Sequence, residues 1–278
     1  MWSRFSDLKQ TLFELITVGY EILDGRILNT NSKWLAEKIT SMGGRVTRMV
    51  TVGDSISDIS SSIKDALKRG VDWIITSGGL GPTYDDMTLQ GVAKAVNRRL
   101  VLNRKAYEMV RERYRKLAEE GVVKSPELTP SRLKMAMLPR GSKPLHNKVG
   151  SAPGVLLKHG RTYIACLPGV PAELYSIFEE ELEPIIIKTI KKVYRVDRVL
   201  NIKGIVESSL APKIEEIIKK YLGIYVKSHP KSVEAGVSRI ELQISAIANK
   251  EERALKKVEE IEKLIREVVV EMGGEVEL

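Results

Sequence analysis

Residues 71–76 read VDWIIT and run directly into SGGLGPTYDDMT at 77–88. The first six are an apolar run of strand length. Glycines at 78, 79 and 81 then break the strand, and Thr88 opens a helix reaching about Val96. A buried strand that ends in a glycine turn and feeds a helix marks the ligand-binding edge of a doubly wound sheet, beyond the carboxyl ends of the strands. Glycines at that edge leave N–H groups free to face an anion at the helix start. The turn is not a dinucleotide fingerprint, because the third glycine is missing where Tyr84 or a neighbour stands. Nor is it a Walker loop, since no Gly-Lys-Ser/Thr follows.

The same alternation extends in both directions. Leu12–Val18 (LFELITV) predicts a strand, and Asn29 or Thr30 caps a helix through Met42. Arg45–Val52 is a second strand, and Ser55 or Ser57 caps a helix carrying Ile59, Ile63, Ala66 and Leu67. A charged helix runs from Asn103 to about Glu120, and Pro126–Pro130 is irregular. Val155–Leu157 and Tyr163–Leu167 are two more strands, followed by a helix over Pro171–Lys192. This order predicts a three-layer α/β/α unit with a mostly parallel sheet over residues 1–190. Residues 191–278 read strand (Val196–Ile202), helix (Ser208–Tyr221), strands (Ile224–Lys227 and Val237–Ile247), helix (Glu251–Met272) and a last strand near Val276. That βαββαβ order predicts a small ferredoxin-like α+β unit. Its last helix is expected to bury Ala254, Leu255, Val258, Ile261, Leu264, Ile265 and Val268.

The 278 residues carry 45 basic and 36 acidic side chains, a formal charge of +9. Residues 1–188 hold 28 basic against 21 acidic groups, and residues 189–278 hold 17 against 15. The basic excess therefore sits with the glycine-rich unit. No apolar run reaches the ~18–20 residues of a membrane span, and the polar stretch Met1–Gln10 lacks the apolar core of a signal peptide. A cytoplasmic protein without a membrane partner is expected. The single cysteine, Cys166, excludes a disulfide framework and a multi-cysteine metal site. His146, His159 and His229 are isolated, with no ligand spacing. Three Gln among so many Lys, Arg and Glu suit a heat-adapted source.

Carboxylates beside a phosphate cradle repel the ligand unless a cation intervenes. Asp54, at the end of the second strand, and Asp86, after the third, should converge on one crevice with Asp85 beside them. The chemistry this predicts is a divalent ion held jointly by carboxylates and phosphate oxygens. Helix capping is the competing use for Asp54 and Asp85. Three further turn-rich, polar stretches lie at GYEILDGR (19–26) with NTN (29–31), NKVGSAPG (147–154) and LPGVPAE (167–173).

Taken together, GYEILDGRILNTNSKWLAEKI, TVGDS, SGGLGPTYDDMT, NKVGSAPG and LPGVPAEL resemble, in order and spacing, the N-terminal part of the CinA family. The likeness covers about residues 12–190. It implies a molybdopterin-binding-like fold shared with molybdenum-cofactor biosynthesis proteins, followed by a small KH-like domain. A counterpart of the nicotinamide mononucleotide deamidase domain of full-length CinA is not expected, because the chain ends first. The resemblance further implies metal-dependent hydrolysis of nucleotide pyrophosphates such as ADP-ribose or FAD. Mg²⁺, Mn²⁺, Co²⁺ or Ni²⁺ would serve as the metal, K⁺ as a helper, and a homodimer as the assembly. On matching positions Asp54 and Asp86 correspond to the acidic pair of the cofactor-biosynthesis relatives; with Asp85 beside them they are the expected metal ligands, and Asp86, then Glu21, is the expected general base. Gly78, Gly79, Gly81 and Thr83 fall in the phosphate-facing turn, while Asn31, Asn147, Ser151, Pro168 and Gly169 are expected to line the pocket. Tyr20 stands where the family usually has Asp or Asn.

Two other functions compete. A pterin-binding or adenylyl-transfer protein would use the same crevice, though GGLGPT replaces the GGTG of those relatives. RNA binding by residues 189–278 is disfavoured, because they hold no GXXG loop and carry only a small positive excess.

Overall fold

The computed structural model describes residues 10–191, 193–234 and 237–277. The N-terminal stretch read as polar and Lys192, the expected end of a helix, lie outside the described residues, Gln10 and its successors apart. The chain divides into two compact units, one spanning Thr11–Ile190 and one whose described part is Gln10 and the residues from Lys191 on.

In the first unit, β1 (Leu12–Val18) is followed by a single helical turn, α1 (Tyr20–Leu23), and by α2 (Thr30–Ser41). Then come β2 (Arg45–Val52), α3 (Ile56–Arg69), β3 (Trp73–Ser77) and α4 (Thr88–Ala95). A second stretch holds β4 (Leu100–Leu102), α5 (Arg104–Glu119), α6 (Pro130–Lys134), β5 (Met137–Pro139) and β6 (Lys143–Leu145). β7 (Gly154–His159), β8 (Thr162–Leu167), α7 (Pro171–Ile177) and α8 (Glu183–Thr189) complete it. Strand order is β2-β1-β3-β8-β7-β6; the first four are parallel and the last two antiparallel to their neighbours.

The period of two along the strands divides the core between two faces. Ile16, Val18, Ile74, Ile164 and Cys166 pack with Ile59 and Ile63 of α3, Val92 of α4 and Val110 of α5. Phe13, Leu15, Trp73, Ile75 and Leu167 pack on the other face with Leu35 and Ile39 of α2 and Leu174 and Ile177 of α7. Both faces are covered, as a parallel sheet requires. Glu14 breaks the apolar pattern of β1: it is 1% exposed and receives a two-pronged hydrogen bond from Arg69 at 2.6 and 2.7 Å. Caps settle two choices left open by the sequence. Asn29 accepts from the N–H of Ser32 and so caps α2, and Ser55 caps α3.

The continuous helix expected over Pro171–Lys192 is instead interrupted. Five residues, Phe178–Leu182, take a π-helical turn between α7 and α8, and α8 ends at Thr189. The wider turn keeps Phe178 and Leu182 buried against the sheet while Pro184 begins a new helical segment.

The second unit contains β9 (Tyr194–Lys203), α9 (Glu207–Lys219), β10 (Ile224–Glu234), β11 (Val237–Ala248), α10 (Glu251–Glu271) and β12 (Glu275–Glu277). Its antiparallel sheet has the order β10-β11-β9-β12, the split-βαβ arrangement. Leu200, Ile202, Leu242 and Ile244 meet Leu210 of α9 and Val258 and Ile261 of α10 in one core. The buried stripe of α10 is Ala254, Val258, Ile261, Ile265 and Val269. Leu255 is 36% exposed, and Leu264 and Val268 are only partly buried. Over five turns the 3.6-residue period carries the stripe from 265 to 269, leaving 268 at its margin. Among the described residues, no helix is long and apolar enough to cross a membrane.

Candidate functional site

A cleft of about 760 Å³ opens along the carboxyl ends of the sheet in the first unit. Its walls come from the segments that follow successive strands. Asp54 follows β2, Glu21 follows β1, the glycine turn follows β3, Pro168–Glu173 follow β8, and Gly150–Ala152 precede β7. At ~4.8 Å per strand spacing, β2 and β8 are separated by roughly 14 Å, so the cleft is an elongated trough.

The glycines of the turn are demanded by close packing. Gly78 has φ +101°, its N–H is bonded to the Leu167 carbonyl, and a Cβ there would lie 2.2 Å from the Val18 carbonyl oxygen. Gly79 has φ +66°, and its Cβ would meet Thr88 Oγ1 at 2.4 Å. Thr88 in turn donates to the Gly78 carbonyl at 2.7 Å, which pins the start of α4 to the end of β3. Among the described residues, the N–H groups of Gly79, Leu80 and Gly81 have no hydrogen-bond partner.

Asp85 and Asp86 converge on Thr83. Asp86 Oδ2 accepts from the Thr83 N–H at 2.7 Å and faces its Oγ1 at 2.6 Å, and Asp85 Oδ1 also accepts from Oγ1. Neither carboxylate caps α4, which has no side-chain cap. The Thr83 hydroxyl, the Asp85 backbone and nearby Lys134 hold the Asp85 carboxyl below the usual carboxylate range. Asp54 behaves oppositely. Partial burial pushes its carboxyl up against the pull of the Tyr20 N–H, and the charges of Glu21 and Asp85 push it further. Ser55, not Asp54, caps α3, and Asp54 shares its electrostatic surroundings with Glu21 and Asp85.

Most of the expected residues do meet here. Glu21, Asn31, Asp54, Gly78, Gly79, Gly81, Thr83, Asp85, Asp86, Ser151, Pro168 and Gly169 all line the cleft. Asn147 does not. Its side chain is 8% exposed and saturated: Nδ2 donates to the Ala152 carbonyl and to Glu173, while Oδ1 accepts from the N–H groups of Val149 and Gly150. It braces the wall from behind. The residue that it presents to the cleft is Glu173 of the LPGVPAE stretch, which the turn-rich pattern alone does not single out. The signal was available, since Pro171 at the start of a helix puts Glu173 in the first turn facing the strand ends. Asn31 Nδ2 donates to the Gly169 carbonyl at 2.8 Å, and its Oδ1 is buried without a partner among the described residues.

The cleft thus holds five carboxylates, from Glu21, Asp54, Asp85, Asp86 and Glu173. Among the described residues no Lys, Arg or His lines it, despite the net positive charge of the unit. No group of three or more His, Cys, Asp or Glu among the described residues is placed to hold a metal ion by itself. One or two carboxylates completed by phosphate oxygens and water are, however, the usual donor set for Mg²⁺. One or two carboxylates drawn from Asp54, Asp85 and Asp86 would fit that chemistry.

This fold and cleft define a molybdopterin-binding type of α/β domain, and residues 14–188 match the family described as a probable molybdopterin binding domain. A crystal structure of the protein CinA, of unknown function, from Thermoplasma acidophilum is 37% identical with a TM-score of 0.57, covering 63% of this chain and 98% of that one. The chain belongs to the molybdopterin-binding-domain family and, within it, to the CinA proteins. A protein of Metallosphaera sedula is 39% identical over 261 residues, which is 94% of this chain and 95% of that protein. Another from Thermoplasma volcanium is 42% identical over 246 residues, 88% of this chain and 91% of that protein.

Proposed function

We propose that the cleft hydrolyses nucleotide pyrophosphates of the ADP-ribose or FAD kind in a reaction that needs a divalent cation. One observation carries this reading: five carboxylates and no basic side chain line a trough long enough for an extended ligand. Two like charges 4 Å apart repel by ~4 kcal/mol at an effective dielectric of 20. An anionic pyrophosphate therefore enters only with its charge compensated. A bound divalent ion supplies that compensation and lowers the pKa of an attacking water. Asp85, kept ionised by Thr83 and Lys134, and Asp86, fixed by Thr83, hold the cation edge of the site. Glu21, set beside Asp54 by the Tyr20 N–H bond, is placed to take the proton from water. Unpaired N–H groups in the Gly79–Gly81 turn stabilise charge on the phosphate oxygens.

The test is a panel of ADP-ribose, FAD and NAD with Mg²⁺, Mn²⁺, Co²⁺ and Ni²⁺, with and without K⁺, following mononucleotide release. Turnover that EDTA abolishes supports the reading. Release of no mononucleotide from any member, or turnover indifferent to EDTA, overturns it. The family description favours one rival, a pterin phosphate held in the same cleft, which predicts saturable pterin binding without pyrophosphate cleavage.

A further inference from the structure

Glu173 stands apart from Asp54 along the cleft. It follows β8, whereas Asp54 follows β2, and the ends of those two strands lie three spacings, roughly 14 Å, apart. Glu21 and Asp85 perturb Asp54; Glu173 does not contribute. A cation held between Asp54 and Asp85 leaves Glu173 on the β8 side of the trough.

The side chain is held in place by a dedicated arrangement. Asn147 Nδ2 donates to Glu173 Oε2 at 2.7 Å, and every other polar valence of that amide is spent within its own loop. A Cβ on Gly150 would lie 2.0 Å from Oε2, so glycine is what lets the carboxylate rest against this loop. Oε1 is left without a partner among the described residues. Nearby, Asn31 bonds the Gly169 carbonyl through Nδ2, which fixes its amide orientation and leaves Oδ1 an unpaired acceptor. This end of the cleft therefore offers acceptors and no charged donor. Phosphate, which only accepts, has nothing to gain here. A group bearing two adjacent hydroxyl donors does.

We propose that Glu173, braced by Asn147 and Gly150, binds the 2′ and 3′ hydroxyls of a ribose and so selects ribonucleotides among pyrophosphate ligands. This rests on the proposed nucleotide reading of the cleft, although it concerns binding and not cleavage. A carboxylate accepting from ribose hydroxyls is a common device in nucleotide sites.

The experiment compares binding of ADP, 2′,3′-dideoxy-ADP and inorganic pyrophosphate by calorimetry in Mg²⁺, for the full chain and for Glu173→Gln. The substitution keeps an oxygen to accept from Asn147 but removes the charge. Expected is roughly tenfold tighter binding of ADP than of the dideoxy nucleotide, the size of a hydrogen bond to a charged group. Glu173→Gln should erase most of that preference and leave the dideoxy nucleotide and pyrophosphate unchanged. Equal binding of ADP and its dideoxy analogue by the parent protein, or no binding of ADP, overturns the proposal. So does a uniform loss for all three ligands in Glu173→Gln, which is what a purely structural brace produces. Diol-selective binding without turnover of any pyrophosphate would remove the hydrolase reading and leave this one standing.

Discussion

Asp54 accepts the backbone N–H of Tyr20 through Oδ2 at 3.0 Å, which ties the end of β2 to the start of α1 and sets Glu21 beside it. One carboxylate oxygen is thus committed to holding the backbone. Because the folded state raises the Asp54 pKa, the folded protein binds a proton here more readily than the unfolded chain. The stability this lends is complete below the ordinary carboxylate value and is lost as pH rises through the folded one. Asp54→Asn preserves an acceptor for Tyr20 and removes the charge. Without metal, this variant should melt above the parent at neutral pH and converge with it in acid, as scanning calorimetry will show. Added Mg²⁺ should stabilise the parent more than the variant; equal stabilisation would remove Asp54 from the cation site.

Asp86→Asn separates chemistry from architecture. The amide oxygen still accepts from the Thr83 N–H, so stability should change by less than about 1 kcal/mol. Turnover of any pyrophosphate should fall by roughly two decades, the scale of removing one transition-state stabiliser. An active but destabilised variant would reduce Asp86 to a turn staple.

Gly78 and Gly81 should fail differently when changed to Ala. At Gly78 the added Cβ meets backbone at 2.2 Å with φ +101°, and neither can yield. Gly78→Ala should lose several kcal/mol, on the order of 3 or more, or fail to accumulate as folded protein. At Gly81 the added Cβ meets Asp86 Oδ2 at 2.7 Å, the movable end of a side chain. Gly81→Ala should stay folded and lose activity. Urea denaturation and turnover, measured on both, distinguish the two outcomes.

The Glu14–Arg69 pair should be asymmetric. Glu14 is 1% exposed and the Arg69 side chain 34% exposed. Arg69→Met strands a buried carboxylate and should cost about 3–5 kcal/mol. Glu14→Leu leaves a guanidinium that still reaches water and should cost less. Combining both should recover most of the loss in denaturant titrations. Equal single costs with no recovery would contradict this account.

The layered fold was legible because strand residues such as Leu15 and Ile16 alternate between two cores, and Asn29 and Ser55 announce their helices. The three-residue strands β4, β5 and β6 carry too little pattern to stand out from loop. The π-helical turn at Phe178 preserves apolar spacing and so leaves no break in the periodicity. At the site, residue types and strand ends brought most of the carboxylates together. What the string of residues does not encode is direction: Asn147 turns away from the cleft and Glu173 into it, although both sit in polar, turn-rich stretches.

The pairing of β3 with β8 sets a condition on how the protein is made. WIITS at Trp73–Ser77 is buried throughout, yet its β8 neighbour begins only at Thr162, some 85 residues later. At ~5–20 residues per second, a ribosome leaves that apolar edge uncovered for roughly 4–17 s after β3 emerges. The nascent chain therefore carries a sticky strand through nearly half of the synthesis of its first unit. Truncations ending before Leu167 should be taken up by chaperones or aggregate, whereas chains released after Ile190 should not.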